Sequence, residues 1–584
     1  MIISDMIEYI RDDMRTFGSA LLVFFFLVLS LIFGRLRWVL IPVLCCLSAV
    51  VLSSGILAAL GWQVTVVSAN FVPLLLVITM SIVIHLCVYY RDHRASNPQE
   101  DKRLSVVKTT RFMYKPCLYS ILTTIVAFFS LWVSGLRPVI DFGHIMSLGI
   151  VTGFVLCFVW FPVVLSLLPK EKSAAQKESL TSRITMACAR LVQKHHVVIL
   201  YLAAGLAVIA VSGAMRLEIE NRFIDYFRSD TEIHRGMTVI DRQLGGTTPM
   251  DLIVNAPQSE LSKDTDTSGE DDLMAEYLDI IESDQAPINY WLQPLRLEKI
   301  KQLHAYLENQ PEIGKVMSLA TLIQVFESIN KNPMGDLQVV FLRKFMPEDI
   351  RPILLDPYLS EDGNQLRFNM RIIDSDKALK RDALIKRLER EVESKLGYAR
   401  EDYRVTGLMV LYNNTLQSLY ESQILTLGSV FLVIMAMFIF LFRSLKLALI
   451  AIIPNALAAG LILGIMGWSR TPLDIMTITI AAITIGIAVD NTIHYIVRFR
   501  REFTKTGSYK QAIDLCHGSI GKAMYYTSSI IIVGFAVLSL SNFIPTVYFG
   551  VLTALAMFSA LLMALTLLPS LLLAIKPLGE IKKP

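Results

Sequence analysis

The sequence predicts a polytopic α-helical membrane protein: about eleven spanning helices, two repeated five-helix blocks, and one α+β domain outside the membrane. Three observations lead there. Hydrophobic residues make up 54% of the 584 residues and charged ones only 18%, with a mean hydropathy of +0.52. Apolar runs long enough to cross a hydrocarbon core of about 30 Å recur along the chain. A single long polar stretch, 216–422, interrupts them.

The first five spans are expected near 17–33, 38–60, 66–90, 117–135 and 143–168, so that 17–168 is the first membrane block. A linker, 169–196, leads to a sixth span at 197–215. After the polar domain 216–422, five more spans near 424–442, 446–467, 473–498, 523–541 and 547–575 make a second block, 423–575, and 576–584 is the tail. Residues 1–16 form an amphipathic, charged start, not a basic stub before a short apolar core, so no cleavable signal peptide is read there.

Orientation follows from Lys and Arg. Segment 91–115 carries Arg91, Arg94, Lys102, Arg103, Lys108, Arg111 and Lys115, and 170–196 is likewise basic. With Arg35, Arg37, Arg443, Lys446 and the tail lysines, these fall on one side if the helices alternate. That side is expected to be the cytoplasm of a bacterial cell, which puts 216–422 in the periplasm or outside. The net charge of +4 adds nothing further. The seven cysteines all lie outside 216–422, so no disulfide framework is available to that domain. Cys45-Cys46 reads as membrane packing, and no metal-ligand spacing is visible.

The membrane region repeats. Phe33-Gly34-Arg35-Leu36-Arg37 matches Phe442-Arg443-Ser444-Leu445-Lys446, and Ile84-His85 matches Ile493-His494, both at an offset of 409 residues. Lys115, Pro138, Phe142-Gly143 and Pro162 match Lys522, Pro545, Phe549-Gly550 and Pro569 at an offset of 407. Shared polar and proline positions at a near-constant offset argue for duplication. The second block is preceded by a helix and a large domain, the first only by residues 1–16, which resemble Tyr412–Leu425. The expectation is therefore that one helix and one external domain are missing, by truncation or because a separate chain supplies them; a homo-oligomer is the other expected partner.

Within 216–422 the pattern is α+β. Met250–Val254 reads as a strand after the Gly245-Gly246 turn, Gln365–Ile373 as an alternating strand, and Tyr403–Val405 as a strand ending at Gly407. Lys377–Leu396 reads as a helix stopped by Gly397, and Leu295–Leu307 as an amphipathic helix followed by a turn at Pro311-Glu312-Ile313-Gly314. Strand, helix, strand suggests a βαβ-like unit. Ten acidic residues against one Lys between Glu260 and Asp284 read as a solvated insertion.

Asp490 is the residue that points to function. It lies in the apolar run Ile475–Val497, whose only other ionisable side chain among Asp, Glu, Lys, Arg and His is His494. A carboxyl group at that depth costs at least about 2.5–3.5 kcal/mol and marks an ion or proton pathway. Asp490 and His494 are one turn apart and share a helix face. Burial favours a protonated carboxyl and a cationic imidazole favours a charged one; a group held between the two can load and release a proton near neutral pH. The bland reading is a permanently protonated Asp490 that ties helices together. Thr527, Ser528 and Ser529, with Tyr525 and Tyr526, are candidate relay partners, although such hydroxyls commonly satisfy nearby backbone. His85 keeps the repeat position of His494, and Ser81 stands where Asp490 does. Gly486 and Ala488 are expected to permit close helix packing. Pro42, Pro73 and Pro454 are candidate helix breaks.

The sequence resembles the resistance–nodulation–division (RND) superfamily and, more narrowly, the mycobacterial-membrane-protein-large-like group of exporters, which is related to Patched. The run Gly486-Ile487-Ala488-Val489-Asp490-Asn491-Thr492-Ile493-His494-Tyr495 carries the resemblance, with Glu220-Asn221-Arg222-Phe223 and Val405-Thr406-Gly407-Leu408 beside the sixth and seventh spans. The resemblance implies a sterol-sensing-domain-like first block, a porter-like external domain, and proton-driven export of a hydrophobic or amphipathic molecule such as a lipid. Two departures stand out: the absent first helix and domain, and Ser81 where many relatives carry a second acid. They keep open a non-transporting lipid-binding or regulatory protein, or an inactive remnant. Neither a G-x-x-x-x-G-K phosphate loop nor a G-x-S-x-G turn occurs, so no ATP-driven or hydrolytic chemistry is expected, and neither is a cofactor or a nucleic-acid partner.

Overall fold

The computed structural model describes residues 2–65, 67–168, 180–217, 222–257, 290–291, 294–330, 349–376, 378–474 and 476–579. The chain divides into two compact units, one comprising 1–221 and 418–584, the other 222–417. The acidic stretch Glu260–Asp284, residues Glu220-Asn221 and the end of the tail lie outside the described residues.

The first unit is helical. Among the described residues, eleven helical stretches are long and apolar enough to cross a membrane. The first five are α1 (Ile2–Phe33), α2 (Leu36–Ala59), α3 (Phe71–Ser96), α4 (Lys102–Phe129) and α5 (Arg137–Leu167); α6 (Leu180–Ala214) follows. Helix α6 starts well before the expected 197 and carries non-helical backbone at His195. The later set is α11 (Leu408–Phe442), α12 (Leu445–Ser469), α13 (Thr477–Thr506), the short α14 (Tyr509–Gly518), α15 (Ile520–Ala536), α16 (Ile544–Leu565) and α17 (Leu567–Ile575), with α7 to α10 in the other unit. In both sets the fourth long helix ends in a 3-10 turn, Ser130–Ser134 and Val537–Leu540.

Capping explains where several helices begin and end. Ser444 accepts from the Leu447 amide at 3.4 Å to start α12, and Asp101 accepts from the Arg103 amide at 3.3 Å to start α4. Gly507 closes α13 in the left-handed conformation that glycine adopts without a Cβ penalty. At the candidate breaks Pro42, Pro73 and Pro454 the helices continue. Pro42 and Pro454 sit inside continuous helices, and Pro73 occupies a first turn, where no intrahelical N–H is needed. Burial separates central from peripheral helices: 89% of the apolar window of α3 and 94% of that of α13 is buried, against 11% for α6. Cys45 and Cys46 are buried in α2, and the Cys45 thiol lies 3.5 Å from that of Cys157 on α5.

The second unit is α+β. It contains α7 (Glu232–Gln243), β1 (Thr248–Asn255), α8 (Pro294–Glu308), β2 (Ile313–Met317), α9 (Leu319–Asn330), β3 (Gln365–Ile372), α10 (Arg381–Leu396) and β4 (Tyr403–Thr406). The strand order is β2-β3-β1-β4, and all neighbours are antiparallel. Strands β1 and β2 are therefore parallel to each other with β3 between them, and β3 and β4 are parallel with β1 between them. Each pair is joined through a helix, giving two interleaved split βαβ units. The expected βαβ pattern is thus present, but its two strands are not neighbours. Alternation places Leu252, Val254, Phe368 and Met370 in the core against Leu384 and Leu388 of α10. Strand β2 replaces the second half of the turn expected at 311–314. Gly314 there passes so close to Gly245 that an added Cβ would lie 2.6 Å from the Gly245 carbonyl oxygen.

A buried polar knot ties α7 to the sheet. Asp241 is fully buried and accepts from the Thr247 amide (2.8 Å) and hydroxyl (2.7 Å) and from the Asp374 (3.0 Å) and Ser375 (2.7 Å) amides. Burial pushes its carboxyl up, and these donors outweigh that to hold it below the usual range. Asp241→Ala strips the acceptor from four donors and is expected to cost about 2–4 kcal/mol, read as faster amide hydrogen exchange in β1 and α10 of the full-length protein. Because the folded-state value is depressed, the wild-type contribution is complete above the unfolded carboxyl value of about 3.9. It is lost as pH falls through the folded value, so the exchange difference between variant and wild type should narrow in acid.

Candidate functional site

Helices α3 and α13 both pack against α4, and their polar side chains meet in the interior of the first unit. Asp490 comes from the middle of α13, and His494 follows one turn later on the same face. His494 Nε2 lies 3.1 Å from Asp490 Oδ1, and His85 Nε2, from α3, lies 3.6 Å from Asp490 Oδ2. The two imidazoles stack, with centroids 4.4 Å apart and an interplanar angle of 13°. Relative exposure is 9% for Asp490, 3% for His85 and 4% for His494. The carboxylate is thus flanked by two imidazoles from helices about 400 residues apart in the chain.

These approaches fall within ion-pair distance but lack hydrogen-bond alignment. Asp490 Oδ1, His494 Nε2 and both ring nitrogens of His85 are buried with no hydrogen-bond partner, and so is the Ser81 hydroxyl one turn before His85. They border a cavity of about 30 Å³, whose remaining polar lining comes from Cys117, Ser120 and Thr124 of α4. That space holds roughly one or two waters, which would satisfy the unpartnered atoms.

The sequence-derived hydroxyls are placed elsewhere. Thr527 turns back to the Ala523 and Met524 carbonyls, and Ser528 accepts from the Asn491 side chain at 3.0 Å. Ser529, Tyr525 and Tyr526 are half-buried on α15 and do not line the cavity. On a further face of α13, Thr492 accepts from Asn455 of α12 at 3.1 Å. Gly486 lies against α4: the Thr124 hydroxyl donates to its carbonyl at 3.1 Å, and an added Cβ would collide with Ala127. Ala488 is buried at 1% exposure. Sequence reasoning missed Cys117, Ser120 and Thr124, whose spacing on one α4 face was the available signal.

The fold also brings together a donor set that no spacing in the sequence displays. One ligand atom from each of His85, Asp490 and His494 lies within 4.8 Å of the others, a donor set of two imidazoles and a carboxylate that could hold a metal ion. No sequence spacing could reveal it, because His85 is brought in by the fold. Chemically, the arrangement can hold a cation or exchange protons between a carboxylate and two imidazoles.

Compared with known proteins, the chain matches the MMPL family model over residues 1–198 and 228–583. It belongs to the MMPL family. A putative membrane protein of Methanocaldococcus jannaschii is 29% identical over 152 residues, 26% of this chain and 39% of that protein. The hopanoid transporter HpnN of Burkholderia multivorans is 26% identical over 187 residues, 31% of this chain and 21% of the transporter. These matches span well under half the length of either relative. Among solved structures, SecDF of Thermus thermophilus, a translocon-associated membrane protein, superposes with a TM-score of 0.55 at 14% identity, covering 96% of this chain and 62% of SecDF. The hedgehog release protein Disp of the water bear Hypsibius dujardini gives a TM-score of 0.63 at 14% identity, covering 97% and 71%. The fold of this multi-pass MMPL protein is therefore RND-like, as its sequence implied.

Proposed function

We propose that this MMPL protein exports a hydrophobic or amphipathic molecule, a lipid by class, across a bacterial inner membrane, driven by protons that pass through Asp490, His494 and His85. The observation that carries the reading is the meeting of one buried carboxylate with two imidazoles at a water-sized cavity between central helices. A carboxyl group is costly at that depth and is retained where charge has to move. Each charge crossing the membrane supplies about 2.3 kcal/mol per 100 mV. The likeness to a hopanoid transporter supports the lipid class.

In this reading the two five-helix sets are duplicated blocks that rock about the stacked His85–His494 pair. The basic segments face the cytoplasm and the α+β unit lies outside, where it receives or passes substrate. Ser81 occupies the first-block position equivalent to Asp490, so one carboxylate carries the coupling alone.

Reconstitution tests the proposal. Full-length protein in proteoliposomes loaded with a fluorescent lipid should transfer it to an acceptor when a pH gradient is imposed, and a pH dye should report proton movement in step. A protonophore should abolish both. Lipid transfer that continues unchanged after the gradient has collapsed would reject proton drive and leave a passive lipid-binding protein.

A further inference from the structure

A second cavity, of about 480 Å³, opens where α3 and α13 end and α15 begins. Its volume is that of a small-molecule site. Its walls are cationic: Arg498, Arg501, Lys505 and Lys522 line it, and Asp92 is the lining carboxylate. Glu502 is already engaged, lying 3.1 Å from Arg498 and 3.4 Å from Lys505. Arg501 and Lys522 make no ion pair with any carboxylate among the described residues. The Arg501 guanidinium is held 5.0 Å over the Phe112 ring, which fixes its charge at the wall.

Three further features complete the lining. The first turn of α15, at Ser519 and Ile520, borders the same space, where its partial positive charge sits beside the opposite one at the end of α14, which shares Ser519. Buried His85 and His494 form the floor. Val88, Met113 and Val497 give one apolar wall, suited to a glycerol and acyl stem rather than to a fully hydrated ion. Excess cations and an apolar flank together match a phosphate monoanion carried on a lipid, and basic pockets between membrane helices bind such headgroups.

We propose that this cavity is a phosphate-binding site that takes the headgroup of an anionic phospholipid. The site does not depend on the transport reading; it can be filled in a protein that exports nothing, and its test measures binding alone.

Native mass spectrometry of the full-length protein, equilibrated with mixed phosphatidylglycerol and phosphatidylcholine micelles, reads the site directly. Wild type should retain about one phosphatidylglycerol in preference to phosphatidylcholine. In the Arg501→Gln, Lys522→Gln double variant that retention should fall roughly tenfold or more. Met113→Trp, which narrows the cavity from its apolar side and leaves the charges in place, should lower retention as well; it serves as the reading if the double variant unfolds. Competition with inorganic phosphate separates the sources. Displacement identifies the phosphate group itself as the ligand, and persistence of the lipid identifies the whole headgroup with its stem. Equal retention of the two lipids by wild type would overturn the proposal, as would undiminished phosphatidylglycerol on a folded variant.

Discussion

Asp490→Asn should reduce gradient-driven lipid transfer by about 100-fold or more while leaving the bundle folded. The substitution keeps the shape of the side chain and its capacity to accept hydrogen bonds, and removes only the exchangeable proton and the charge. A group in a proton-transfer step contributes on that order. Among the described residues, Asp490 is the carboxylate that lines the cavity, beside His85, His494, Ser81, Cys117, Ser120 and Thr124. His85→Ala and His494→Ala should each lower transfer as well, by separate routes, since His494 lies 3.1 Å and His85 3.6 Å from different oxygens of the carboxylate. A purely structural Asp490 predicts the opposite pattern. Its amide would lower the melting temperature of the purified protein and leave the dependence of transfer on the gradient intact. Wild-type gradient dependence in Asp490→Asn would therefore remove this residue from the coupling path.

The membrane spans were legible because a bilayer accepts few alternatives: long apolar runs must form helices to satisfy their own backbone. The pairing of Asp490 with His494 was legible from helical spacing. The third member was not. His85 could be placed beside them only through the repeat offset, which relates two positions but does not say that they touch. The cavity wall was hidden for a similar reason: Cys117, Ser120 and Thr124 are ordinary polar residues of a membrane helix until α4 is set against α13. Conversely, Thr527 to Ser529 looked available, but Thr527 is taken by its own backbone and Ser528 by Asn491. In the other unit β2 escaped notice because Gly314 and Lys315 mask its alternation; it pairs along one side only, with β3, across a register irregularity. Helix α6 was read as beginning at 197 because its first turns, from Leu180, are too polar to count as membrane-spanning.

Gly467→Ala should be among the most damaging small substitutions in the protein, and Gly460→Ala, two turns earlier on the same helix, should be nearly silent. The difference lies in how α12 crosses α6. A Cβ at Gly467 would run into the Gly213 carbonyl oxygen and lie 2.7 Å from its carbonyl carbon, and one at Gly464 would lie 2.7 Å from Ala210 Cα. These obstacles are backbone, so no side-chain rotation relieves them and the helices must separate. At Gly460 the nearest atom is the Ala210 Cβ at 4.0 Å, an ordinary contact. Separation matters because association in lipid relies on close packing rather than on a hydrophobic drive, and α6 buries only 11% of its apolar window. It would also pull the Trp468 ring from the Ile209 carbonyl, to which its Nε1 donates at 3.3 Å, and from the Arg216 guanidinium, 4.0 Å above it. Overpacking of this kind costs about 1–3 kcal/mol per site, which should appear as a clear fall in the melting temperature of purified Gly467→Ala and Gly464→Ala. Equal melting temperatures for the 460 and 467 variants would show that α6 does not approach α12 by this face.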